Sequence, residues 1–63
     1  MSEEYIKEIE GHMQAARKVL EKNKTDPFAQ NVIFYGDYAI LAAKTNDKLR
    51  MKNLRAQVIG YSN

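Results

Sequence analysis

Glu8 and His12 stand one helical turn apart in the first third of a 63-residue chain. A carboxylate and an imidazole at that spacing can share a metal ion or pass a proton. Two ligands fall short of a tight site, His12 is the chain's single histidine, and cysteine is absent. The bundle-type pairing of a glutamate with a histidine three residues later also fails, because Ile9 occupies the glutamate's place. No metal and no cofactor is expected. His12 reads as a partly buried residue beside an apolar seam.

Asp37 is the next candidate, since it interrupts the run NVIFYGDYAILAA between Asn31 and Ala43. A carboxylate among buried tyrosines can act as a base with a raised pKa. The plainer reading places it on a polar strip with Lys44, Lys48 and Arg55, where it fixes register rather than performs chemistry. Ser2 and Ser62 lie near the ends, and no nucleophile is paired with a base. The chain is not expected to be an enzyme.

Between Lys44 and Arg55 five cations (Lys44, Lys48, Arg50, Lys52 and Arg55) face the lone Asp47, a local net charge of +4. Lys48, Arg50, Lys52 and Arg55 can contact a phosphate backbone, which makes nucleic acid the alternative partner. Against it stand a net charge of only +2 over the whole chain and four acids (Glu3, Glu4, Glu8 and Glu10) at the opposite end. An antiparallel hairpin would bring those acids beside the cations, where exposed pairs contribute only tenths of a kcal/mol each.

Helices must position all of these groups. Ser2 can cap a first helix, with Glu3 and Glu4 at the positive end of its dipole. Ile6, Ile9, Met13, Ala16 and Leu20 then recur at alternating gaps of three and four, the spacing of a helical seam. This predicts a helix over about 3–23. In NKTDPFAQ, Thr25 or Asp26 can cap the next helix and Pro27 suits its first turn, so residues 24–27 form a corner between antiparallel neighbours. A second helix is expected from Pro27 to about Gly60. A break at Thr45–Asp47 is the alternative, but neither glycine nor proline marks a stop there. Ala15 should lie across from Gly36, two small residues that let the backbones approach.

The second helix is apolar nearly all round, and a single hairpin partner covers about one side of it. Its downstream end also overhangs the first helix by about 15 Å at 1.5 Å per residue. A small chain without disulfides needs another source of stability, and a second subunit supplies it. The expected fold is therefore all-α: a single domain over 1–63, an antiparallel helical hairpin dimerising into a four-helix bundle. A monomeric three-helix bundle is the alternative. Phe34, Tyr35, Tyr38, Leu41, Met51, Leu54, Val58 and Ile59 would form the interface, where tyrosine is favoured for combining area with a hydroxyl.

In length and layout such a dimer is similar to the small plasmid copy-number regulators, helical hairpins that pair and bind RNA loops. The similarity covers architecture alone, and it carries over no site residue. The acidic, amphipathic start is unlike a secretory signal, and the longest apolar run is too short to span a bilayer. A soluble cytoplasmic protein is expected, with no membrane partner. Its expected work is non-enzymatic: a regulatory homodimer that binds another protein.

Overall fold

The computed structural model describes Ser2–Asn63. Three helices follow one another: α1 (Ser2–Lys22), α2 (Pro27–Lys44) and α3 (Lys48–Ser62). The described residues contain no strand. Ser2, expected as a cap, is itself the first helical residue of α1.

The first corner is built as its side chains dictate. Asp26 caps α2 by accepting from the backbone N–H groups of Phe28 (3.0 Å) and Ala29 (3.5 Å). Pro27 takes the first helical position, where a missing N–H costs nothing. Asn23 braces the turn by accepting from the Thr25 hydroxyl at 3.2 Å.

The second corner corrects the expectation of one helix from Pro27 to about Gly60. Asn46 adopts a left-handed backbone, φ 56°. Its N–H donates to the Ala43 carbonyl at 3.1 Å, and that of Asp47 donates to Ala42 at 2.9 Å. These two bonds form the Schellman arrangement that closes a helix, with asparagine where glycine usually stands. The Thr45 hydroxyl donates back to the carbonyls of Leu41 and Ala42. Asp47 then opens α3 by accepting from the Arg50 N–H at 3.2 Å. Three consecutive residues thus end one helix and start the next.

The break folds α3 back along α2. No overhang is left for a second subunit to support, and the likeness to long two-helix hairpins goes with it. Tyr5 donates its hydroxyl to the Met51 carbonyl and Glu8 meets Arg55, so α1 and α3 run in the same direction. α2 packs against both of them, while α1 and α3 touch only lightly. The resulting up-down-up bundle measures 34 × 17 × 16 Å.

Its core sets a few branched or long side chains among alanines. Ile9, Met13 and Ala16 of α1 meet Ala29, Val32 and Ala39 of α2 and Val58 of α3. Gly36 is buried against Met13, not Ala15, so the pairing of α1 with α2 is displaced two residues from the expected register. A Cβ at Gly36 would lie 2.6 Å from both Cγ and Sδ of Met13, a distance that no packed methyl tolerates. Among the described residues, no helix is long and apolar enough to cross a membrane.

Candidate functional site

α2 carries two apolar faces of opposite character. The inward one consists of Ala29, Val32, Gly36, Ala39 and Ala43, all buried at spacings of three and four. The outward one consists of Phe34, Tyr38 and Leu41, exposed at 54%, 50% and 57%. Positions i, i+4 and i+7 fall on one stripe of a helix.

Rings continue that stripe sideways. Phe34 sets its edge against Tyr35 (5.3 Å) and Tyr38 (5.0 Å). Tyr35 stacks on Tyr61 of α3 at 5.6 Å with the rings 3° from parallel, and Tyr61 leans on Phe28 at 6.2 Å. Five of the six aromatic residues join one ribbon. These contact geometries suit the ring quadrupole and hold the side chains in place. Sequence reasoning missed Phe28 and set Tyr61 in the overhang rather than against Tyr35. Tyr61 reaches Tyr35 only because α3 turns back, so the signal lay in the capping residues Thr45–Asp47.

The expected interface set divides accordingly. Phe34, Tyr38 and Leu41 remain together at the surface. Tyr35 and Leu54 are half-buried against the core, and Met51 and Ile59 are half-buried as well. Val58 must be removed from the set, because it is 0% exposed and fills the chain's own core.

Three of the charged candidates, Glu8, Arg50 and Arg55, are engaged within the chain. Both Arg55 nitrogens, Nε and Nη2, donate to the two Glu8 carboxylate oxygens at 2.9 Å, a fork–fork pair joining α3 to α1. That hydrogen bonding holds the Glu8 carboxyl below its ordinary value and raises Arg55 above its own. Nearby, burial pushes the Tyr5 hydroxyl up. Arg50 turns back to Asp47 at 3.2 Å. Lys44, Lys48 and Lys52 are exposed and join no ion pair among the described residues.

Asp37 is also exposed, on the flank of the outward stripe toward Lys44. It is therefore not enclosed among the tyrosines. His12 is half-buried and lines an open groove of about 310 Å³ with Ala15, Val19, Phe28 and Tyr61. Glu8, its candidate co-ligand, is committed to Arg55. Among the described residues, no three histidine or carboxylate side chains converge.

No protein-family model, curated protein or solved structure matches this chain.

Proposed function

We propose that this chain is a non-enzymatic interaction protein of the regulatory kind, working as a homodimer that presents its remaining surface to another protein. One observation carries the reading: α2 turns three large side chains in line, Phe34, Tyr38 and Leu41, toward solvent. An aligned apolar stripe is the form in which helices dock on one another. The carboxylates support a structural reading of the charged groups. Glu8 binds Arg55, and Asp26 and Asp47 cap helices. Because each chain folds as three helices, the seam is drawn from the outward α2 faces of two three-helix protomers rather than from two long hairpins.

Sedimentation equilibrium over a broad concentration series tests the proposal. A mass rising from one chain to two supports it, and a single-chain mass at millimolar concentration ends it. Nucleic-acid binding is the second reading, favoured by the exposed, unpaired Lys48 and Lys52. Two of its four candidate contacts, Arg50 and Arg55, already have carboxylate partners. A gel shift whose affinity falls steeply with salt, and falls further on removing Lys48 and Lys52, would favour that reading instead.

A further inference from the structure

We infer that a second copy of this chain covers the outward face of α2 in antiparallel orientation, Asp37 of each copy meeting Lys44 of the other. The inference rests on the homodimer proposed above and adds its register. Asp37 and Lys44 lie two helical turns apart on the same flank of the Phe34–Tyr38–Leu41 stripe, about 10 Å along the axis. Both are exposed, and neither forms an ion pair within its own chain among the described residues.

A twofold axis relating two antiparallel helices leaves equivalent flanks on the same side of the seam. With the axis midway between Asp37 and Lys44, beside Leu41, each carboxylate faces the other copy's ammonium, and both pairs form at once. The apolar residues then interdigitate. At 1.5 Å per residue, Tyr38 falls between Leu41 and Thr45 of the second copy, and Leu41 falls between that copy's Leu41 and Tyr38. The competing register, centred between Asp37 and Tyr38, brings Phe34 head-on against Leu41 and sets the two Asp37 carboxylates side by side. Like charges placed so close select against it.

The stripe supplies roughly 300 Å² of apolar surface per copy, given 150–250 Å² for a whole aromatic side chain and the half exposure seen here. A standard interface uses about 800 Å² per partner. The pair is thus concentration-dependent and weak, and charge decides its geometry.

Charge reversal tests the register. By sedimentation equilibrium, Asp37→Lys and Lys44→Asp should each weaken the dimer about tenfold, since each turns two attractions into two repulsions. The double reversal should restore it. A dimer indifferent to either single change, or not rescued by the double one, overturns the register and leaves the homodimer standing. Absence of any dimer in the wild type removes both. Because the chain has no cysteine, disulfide trapping gives an independent readout. Leu41→Cys, beside the axis, should oxidise to a covalent dimer. Phe34→Cys should not, because its two copies lie about 20 Å apart along the seam. The reverse pattern would exclude this arrangement.

Discussion

The two faces of α2 invert the usual relation between size and burial. Ala29, Gly36, Ala39 and Ala43 point inward, while Phe34, Tyr38 and Leu41 point out. Small residues inside let α1 and α3 approach α2 closely, so Met13 rests directly on the Gly36 backbone. Large residues outside contribute little to that packing. The inner face therefore holds the fold together, and the outer face is left exposed to solvent. Substitutions of comparable chemistry should give opposite results on the two sides.

Ala39→Leu should show the largest effect. Ala39 is fully enclosed, and the added methylenes have no space to enter. Overpacking of this kind costs about 3 kcal/mol, a loss on the order of 15 °C in melting temperature for so small a domain. Leu41→Ala, on the outer face, should leave the melting curve of the dilute monomer within about 0.5 kcal/mol of wild type while weakening dimer formation in sedimentation. Equal losses of stability from the two changes would refute the division of labour.

Gly36→Ala comes next. The new methyl collides with Met13, which is itself buried, and the net cost should be about 1–2 kcal/mol in denaturant titrations. In a Met13→Ala background the collision disappears. The same change should then stabilise by up to ~1 kcal/mol, the helix preference of alanine over glycine. A cost unchanged in that background would show that closeness of backbones, and not Met13, requires the glycine.

This division was only partly legible in the sequence. The seam Ile9, Met13, Ala16 and the corner at Asp26–Pro27 follow from spacing and from the chemistry of proline, and both are where they were expected. The inward side of α2 was not legible, because a helix apolar on nearly every side gives no periodic signal. Side-chain size decides the question, and it acts only once neighbours are in place. The register was displaced for a related reason. A flexible methionine fills the notch at Gly36, where pairing by small residues alone would have put Ala15. The stop at residue 45 was legible only as the alternative, because asparagine did the work of glycine.

The turn at Asn46 decides what α3 covers and so which face of α2 stays open. Asn46 holds φ 56°, a conformation that costs an ordinary L-residue roughly 1 kcal/mol or more. Asn46→Ala should lower stability by about 1 kcal/mol, and Asn46→Gly should match or exceed wild type in thermal melts. Should alanine be tolerated without loss, the reversal of α3 owes little to this turn, and the capping hydroxyl of Thr45 and carboxylate of Asp47 carry it.

The smallest expected effect concerns the Glu8–Arg55 fork, which ties together the two helices that enclose the inner face. Hydrogen bonding from Arg55 lowers the Glu8 carboxyl in the folded chain. A carboxyl lowered by folding stabilises in full above its unfolded value, and that stabilisation is lost as the pH falls through the folded value. Wild type should therefore melt slightly above Glu8→Gln at neutral pH, and the gap should close in acid, where Glu8 is protonated and no longer an anion. The margin is small because both side chains are well exposed to solvent. Dimer strength, compared between wild type and Glu8→Gln at equal pH, should not differ, because the fork lies on α1 and α3 and not on the outward stripe. If dimerisation weakened along with the fork, the two faces of α2 would be coupled through the core, and the outward stripe would depend on how tightly α1 and α3 close behind it.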